Sequence, residues 1–376
     1  MDYEEFKCHD ETGIVALNMR CKYCFYADVS SRREIISCGI MSPETREALL
    51  NRVEAYLDNG DRVQFTFQGG EPTLAGLPFF RAFVSGVKRW KKDIRVSYAL
   101  QTNGLLIDEE WCQFLKENAF LVGVSFDILP DCHDEVRQDA NNNGTYKRIL
   151  DSIHLFDRYK VDYNVLCTLT NTIARHPQQV WNRLLQLGIQ YVQFTPCLGE
   201  LDEQEPSPYA LSPKRFASFY IQMFGFWYDA YEKGKLISIK LFDDILNLMV
   251  LGRPTSCGMN GTCQPQLVVE ADGSVYPCDF YCLDEYKIGN IKERSLADLL
   301  NAPCVGDFVN RPHSQPSLCN GCPYRAFCGG NCKRMQKEIC CAGTDTYCGY
   351  FDLLNTCRAK FVKIANEILY SKKRGR

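Results

Sequence analysis

The chain has 376 residues, with 43 Lys and Arg against 46 Asp and Glu, a formal charge of −3. That balance argues against a surface built to hold nucleic acid or anionic membrane, and 45% hydrophobic with 24% charged content excludes disordered and fibrous classes. The outlier is cysteine, 21 in all, in a chain too long to be a small secreted disulfide scaffold.

The acidic start, Met1-Asp2-Tyr3-Glu4-Glu5, leads into no apolar signal-type segment. The longest uncharged aromatic-rich stretch, Phe216 to Tyr228, has 13 residues, where a membrane span needs about 20. A cytoplasmic, reducing location is therefore expected. There, many thiols mean metal sites or reactive cysteines rather than crosslinks.

From Ser42 to about Leu198 helix-period and strand-like segments alternate. Ser42-Pro43-Glu44 reads as an N-cap, a first-turn proline and a first-turn acid, opening a helix to about Leu57. Strands are predicted at Val63–Phe67, Ile94–Leu100, Leu121–Phe126, Val161–Leu169 and Tyr191–Thr195, and helices at Asp108–Asn118, Tyr146–Lys160 and His176–Leu187. Such alternation on short connections predicts parallel βαβ units, an α/β fold. Polar turns follow successive strands at Gln68-Gly69-Gly70-Glu71-Pro72, Gln101-Thr102-Asn103-Gly104 and Ser125-Phe126-Asp127. Parallel folds bind ligands at the C-terminal ends of their strands, so these turns are expected to line one mouth. A single Gly-Gly turn would be only a tight connection; three polar turns in succession point to a site.

Leu201 to Pro208 is acidic and proline-bearing, a surface loop. The aromatics of Phe216–Tyr231 and Phe242–Leu251 read as core packing, and the basic tail Lys372–Arg376 as a solvated terminus.

The last third carries the strongest signal. Cys257 and Cys263 flank a glycine-bearing loop, and Cys278 follows 15 residues after Cys263, behind a hairpin-like Ala271-Asp272-Gly273-Ser274. Then come Cys319-x2-Cys322-x5-Cys328-x3-Cys332 and Cys348. Eight thiolates on short loops suffice for two four-ligand sites, and the spacing leaves zinc and iron–sulfur near parity. Cys21-x2-Cys24 is a smaller pair ahead of the first helix. Cys112, Cys167 and Cys357 read as buried packing residues; Cys340-Cys341 has no interpretable spacing.

Taken together, Cys21-Lys22-Tyr23-Cys24-Phe25-Tyr26, Phe67-Gln68-Gly69-Gly70-Glu71-Pro72-Thr73-Leu74, Gln101-Thr102-Asn103-Gly104, Ser256-Cys257-Gly258-Met259-Asn260-Gly261-Thr262-Cys263, Tyr276-Pro277-Cys278-Asp279-Phe280-Tyr281 and Gly289-Asn290-Ile291 resemble the radical SAM superfamily with a C-terminal SPASM twin-cluster domain. More narrowly they resemble the anaerobic sulfatase-maturating enzymes, over nearly the whole chain from Asn18. The resemblance turns the metal expectation to [4Fe–4S]. It implies a partial (β/α)6 radical SAM barrel over 1–205 (1–17 atypical), a helical connection over 206–250 and a SPASM domain over 251–376.

It further implies three clusters and S-adenosyl-L-methionine (SAM). Cys21 and Cys24 would bind the SAM cluster; Cys257, Cys263, Cys278 and Cys332 the first auxiliary cluster; Cys319, Cys322, Cys328 and Cys348 the second. Gly69, Gly70, Glu71 and Pro72 would hold the SAM amino group, and Ser125 and Asp127 would face its ribose. Gln68 and Tyr26 would sit near the substrate, and Asp279 would be the general base. The implied reaction is radical oxidation of a cysteine or serine in a sulfatase polypeptide to Cα-formylglycine. The 5′-deoxyadenosyl radical would take a Cβ hydrogen, and electrons would come from a donor such as flavodoxin or ferredoxin. Alternatives are another SPASM-type peptide modification, such as thioether crosslinking, or a non-catalytic Fe–S peptide-binding homologue.

The chain departs from the family in two places. The family's first motif is Cys-x3-Cys-x2-Cys, and Leu17, with no donor atom, occupies its first position. The segment from Phe6 to Leu17 differs from the family's strand and short polar loop, as a shifted reading frame or wrong start in the gene would also make it do. Cys8 and His9 are the nearest upstream candidates for the missing ligand. Asp127-Ile128-Leu129-Pro130 replaces the common Asp-Gly-Pro.

Overall fold

The computed structural model describes residues 4–9, 17–201, 207–311, 316–341 and 346–374, with the backbone alone for 4–9 and 372–374. The chain divides into two compact units, each discontinuous: one of residues 1–126, 133–164 and 265–311, the other of 127–132, 165–264 and 312–376. This differs from a simple succession of barrel, connection and C-terminal domain. The reason is strand pairing: the hairpin before Cys278 lies along the first strand and so belongs to the N-terminal sheet.

In chain order the described strands are β1 (Glu4–His9), β2 (Met19–Cys21), β3 (Arg62–Gln68), β4 (Arg95–Thr102), β5 (Phe120–Ser125), β6 (Arg137–Asp139), β7 (Asp162–Leu169), β8 (Tyr191–Pro196), β9 (Ser238–Ile239), β10 (Val268–Val269), β11 (Ser274–Tyr276) and β12 (Gly289–Asn290). In the first unit β1, β3, β4 and β5 run parallel, with Cys8 opposite Phe67, Phe67 opposite Leu100, and Thr102 opposite Val124. This register brings Gln68, Thr102 and Ser125, the last residues of three strands, to one edge of the sheet. β10 adds parallel to β1, and β11 and β12 follow antiparallel.

The helix Pro43–Tyr56 starts where its cap predicts, with the Ser42 hydroxyl accepting from the Thr45 N–H at 3.1 Å. Its inner face (Leu49, Leu50, Val53) is buried. At Gly86, in the facing helix Gly76–Lys88, a Cβ would stand 2.4 Å from the Leu50 Cδ1, so the absent side chain sets how closely the two helices pack. The core is aromatic: Phe67 meets Phe80 and Phe83 edge-on at 4.9 Å, and Tyr98 stacks on Phe120 at 4.9 Å.

In the second unit β7, β8 and β9 are parallel, covered by helices Pro177–Leu187, Pro213–Glu232, Lys240–Leu251 and Gly349–Arg374. The aromatics expected in the core are there. Phe216, Phe219, Tyr220, Phe224, Trp227 and Phe242 are all buried, and Phe224 lies 4.3 Å from Phe361. Buried polar ends find partners: the Trp227 indole N–H donates to the Ile237 carbonyl at 2.7 Å, and the Tyr220 hydroxyl to that of Phe194 at 3.0 Å. Residues 202–206 of the acidic loop, and the side chains of the basic tail, lie outside the described residues. Among the described residues no helix is long and apolar enough to cross a membrane.

Candidate active site and cluster sites

In the first unit Cys21 ends β2, held by antiparallel pairing with β6. A tight turn then carries the chain to Cys24, whose N–H donates to the Cys21 carbonyl at 3.2 Å, and Cys24 caps the helix Phe25–Ser31. Burial pushes the Cys24 thiol up, against the N–H groups of Ala27 and Tyr26 and the Arg137 guanidinium. A metal ion reverses that balance, since a coordinated thiol gives up its proton. Leu17 adds nothing to these two sulfurs. Cys8 and His9 lie on β1, opposite Phe67 and Gln68; their side chains are outside the described residues.

Glu71 sets the shape of the neighbouring loop. It is 1% exposed, and its two oxygens accept from the Thr73 N–H (3.0 Å) and hydroxyl (2.6 Å), the Thr102 hydroxyl (2.7 Å) and the Asn103 N–H (2.7 Å). Even so, burial holds its carboxyl above the usual carboxylate range. The turns after β3 and β4, both expected at the site, are thus tied together by one carboxylate. Asn103 extends the tie by donating to Asn18 at 2.7 Å. Gly69 sits at φ +132°, a conformation that glycine reaches without strain. Pro72 opens the short 3₁₀ turn that follows.

Gln68 and Asp279 stand 211 residues apart and meet in the fold: the buried Gln68 amide donates to Asp279 Oδ2 at 3.1 Å. Asp279 follows Cys278 at the foot of the β10–β11 hairpin, and its other oxygen accepts from the Phe280 N–H at 3.1 Å. Phe25 packs on both Tyr26 (4.0 Å) and Phe280 (4.9 Å), so an aromatic cluster joins the Cys24 helix to the Cys278 loop. A second joint was not visible in the sequence. Arg33 and Glu270, 2% and 0% exposed in their side chains, approach to 3.3 Å, and Arg33 also donates to the Tyr276 hydroxyl at 3.4 Å.

The two residues expected at the ribose are placed differently. Ser125 is half-buried at the end of β5 in the first unit. Asp127, in the second unit, is wholly buried and accepts from the Thr168 N–H at 2.9 Å, which anchors β7.

In the second unit Cys257, Cys263 and Cys332 are electrostatic neighbours; burial, then their mutual repulsion, raises the Cys332 thiol against its backbone hydrogen bonds. The glycines between them are steric requirements. At Gly258 (φ +70°) a Cβ would stand 2.7 Å from the Cys332 Cβ, and at Gly261 (φ +78°) 2.3 Å from the Gly329 carbonyl oxygen. The loop is fixed from below by Asp244, 5% exposed, which pairs with Lys240 and accepts from the hydroxyls of Thr255 (2.7 Å) and Ser256 (2.6 Å). Cys278 belongs to the first unit.

Cys319, Cys322, Cys328 and Cys348 form the other group: burial, then the neighbouring Cys328, Cys348 and Cys322, raises Cys319. Cys340, which sequence spacing left unassigned, lies among them. Its thiol donates to the Gly330 carbonyl at 3.8 Å, and its nearness lowers Cys328 and Cys348, the latter to about 6, while Cys340 itself is held well above the usual thiol range.

The donor set fits clusters better than single ions. A tetrahedral zinc site would bring its four sulfurs to about 3.8 Å from one another. A four-iron cluster takes one thiolate per iron and keeps its ligands further apart. Among the described residues the buried Tyr350 hydroxyl has no hydrogen-bond partner, and its nearest titratable neighbours are Cys328 and Cys340. Cluster sulfur there would supply an acceptor.

Comparison with known proteins agrees with this geometry. Residues 17–178 match the radical SAM superfamily and 257–323 the SPASM iron–sulfur cluster-binding domain. The chain is 39% identical to a cysteine-type anaerobic sulfatase-maturating enzyme of Clostridium novyi (strain NT), over 87% of this chain and 88% of that one. It is 27% identical to a serine-type enzyme of Bacteroides thetaiotaomicron, over 85% and 80%. A solved structure of native anSMEcpe with bound AdoMet and the Kp18Cys peptide superposes with a TM-score of 0.88 at 34% identity, covering 97% of this chain and all of that one.

Proposed function

This chain belongs to the anaerobic sulfatase-maturating enzymes of the radical SAM superfamily, and from that premise we propose how its own residues divide the work. The substrate is a sulfatase polypeptide, and the residue oxidised to formylglycine is a cysteine, as in the relative with the higher identity. The observation that carries the assignment is the Gln68–Asp279 contact. A carboxylate next to a cluster ligand is held by an amide at the C-terminal end of a parallel strand, where α/β folds bind ligands.

SAM at a reduced cluster supplies, when both are bound, a radical able to remove a Cβ hydrogen. Asp279 takes the thiol proton of the substrate cysteine, so that charge does not accumulate as the carbon is oxidised. Gln68 fixes the direction of that carboxylate, and Tyr26 borders the peptide. Cys21 and Cys24 hold the SAM cluster. Because Glu71 spends both oxygens on its own and the next loop, it shapes the Gly69-Gly70-Glu71-Pro72 turn, and the turn's backbone receives the SAM amino group. Ser125 would face the ribose; Asp127 holds β7 through the Thr168 N–H.

Cys257, Cys263 and Cys332 would be ligands of one auxiliary cluster and Cys319, Cys322, Cys328 and Cys348 of a second, and such clusters would supply a place for electrons to go; Cys278, in the first unit, is a further candidate ligand. A flavodoxin- or ferredoxin-type protein supplies the reductant, and the cytoplasm is the compartment that keeps these thiols reduced.

The test is anaerobic incubation with SAM, a reductant and a Cys-x-Pro-x-Arg peptide beside its serine counterpart, read by mass. An aldehyde product from the cysteine peptide is expected; its absence refutes the assignment, and equal conversion of the serine peptide refutes the preference. Iron content tests the first cluster. Three clusters give about twelve irons per chain, and about eight would mean that Leu17 has cost the protein its SAM cluster. A Cys8→Ala protein that cleaves SAM as fast as its parent excludes Cys8 as the replacement ligand.

A further inference from the structure

Asn18 stands directly ahead of β2, three residues before Cys21, and its neighbours dictate which way its amide faces. The Asn103 side-chain oxygen accepts from the Leu105 N–H at 3.0 Å, so the Asn103 amide nitrogen is the atom left to face Asn18. That nitrogen donates at 2.7 Å, which makes the atom it meets the Asn18 oxygen. The Asn18 nitrogen therefore points elsewhere. It is buried, and among the described residues it has no hydrogen-bond partner.

The donors around it are already engaged. The Thr73 N–H and hydroxyl, the Thr102 hydroxyl and the Asn103 N–H all go to Glu71, and the Gly104 N–H goes to the Thr102 hydroxyl at 3.0 Å. Asn103 thus links Asn18 to Glu71, so the unused N–H belongs to the same mouth as the Gly69-Gly70-Glu71-Pro72 turn. A buried N–H without an acceptor is costly, and such a group persists where a ligand completes it. With its oxygen held by Asn103, Asn18 has only that donor to offer. It cannot replace the iron ligand missing at Leu17, because an amide nitrogen has no lone pair to give a metal. What it fits is an anionic oxygen, to which its hydrogen bond would be charge-assisted. SAM carries a carboxylate on the same carbon as the amino group that the turn is assigned, so the two groups fall within reach of one mouth.

We propose that Asn18 is a further SAM-binding residue, its free amide N–H donating to the SAM carboxylate while Asn103 fixes the direction of the amide. The proposal deepens the reading of the SAM site given above and rests on it.

The experiment measures SAM binding by anaerobic equilibrium dialysis to the iron-loaded parent, Asn18→Ala and Asn18→Asp, with iron content and the midpoints of the SAM-free clusters taken alongside. Asn18→Ala is expected to bind SAM about ten- to a hundredfold more weakly, the range for losing a hydrogen bond to a charged group. Asn18→Asp keeps the oxygen that Asn103 needs and turns the donor into an anionic acceptor, so it should bind more weakly still. Iron content and SAM-free midpoints should stay parental in Asn18→Ala. If Asn18 merely anchored Asn103, Asn18→Asp would bind SAM like the parent, and that result would overturn the proposal. Parental affinity in Asn18→Ala would overturn it too. A shifted midpoint in SAM-free Asn18→Ala would put the donor on cluster sulfur instead of SAM, and loss of about four irons would make Asn18 a support of the cluster; either outcome sinks the proposal. The premise has its own readout: a parent protein with about eight irons that binds no SAM refutes the SAM site itself, before any variant is compared.

Discussion

Replacing Arg33 by Met, or Glu270 by Gln, separates two charges that the first unit keeps out of water. At the observed 3.3 Å the pair attracts by about 5 kcal/mol if the effective dielectric constant is about 20. Most of that attraction offsets desolvation, so the pair adds little net stability, but removing one partner strands the other charge and costs about 3–5 kcal/mol. The cost should appear locally, because Glu270 opens the turn between β10 and β11: its N–H donates to the Ser274 carbonyl at 2.8 Å. Hydrogen exchange on the anaerobic holoenzyme reads it directly. Amides of the hairpin should exchange roughly two to three and a half powers of ten faster in either single variant, at about 1.4 kcal/mol per tenfold. The double variant should lose clearly less than the sum of the singles. Additive effects, or unchanged protection in the singles, would refute the reasoning.

Three further outcomes follow from the geometry. Asp279→Asn should lower aldehyde formation by about 10²–10⁴-fold while 5′-deoxyadenosine is still produced, since only the proton acceptor is removed; parental turnover would exclude Asp279 as the base. Gly261→Ala puts a Cβ into the Gly329 carbonyl in a backbone region that L-residues avoid, and should cost about four irons per chain, measured against parental protein. Burial pushes Cys112 up to about 11 and Cys357 to about 12. Iodoacetamide at pH 8 should therefore label the exposed Cys304 and spare both; labelling of Cys357 in folded protein would contradict its packing role.

Much of the local structure was legible beforehand because its causes are local. Ser42-Pro43-Glu44 puts an N-cap, a first-turn proline and an acid within three residues, and the helix it opens ends at Tyr56, one residue before the expected end. The strands at 63–67 and 121–126 are found within a residue or so, as period and β-branched content dictate. The alternation that predicted parallel strands also predicted that Gln68, Thr102 and Ser125 would end at one edge. The glycines of the Cys257–Cys263 loop were visible in the sequence, but the close approaches that require them, to Cys332 and Gly329, were not. The roles drawn from family resemblance were of another kind, since they came from whole motifs rather than from any single residue's environment.

What the sequence could determine by itself was therefore the set of chemical parts: the eight thiols at ligand spacing, the polar turns after strands, and the donor missing at Leu17. Tertiary structure alone decided which parts meet. It set the amide of Gln68 on Asp279, buried Arg33 against Glu270, turned Glu71 inward onto Thr102 and Asn103, and put Cys340 between Cys328 and Cys348. Each of these pairings depends on strand order or loop approach. Hydrophobic period and turn chemistry act over a few residues, whereas parallel pairing joins segments as far apart as Lys7 and Val268, and no local signal records it.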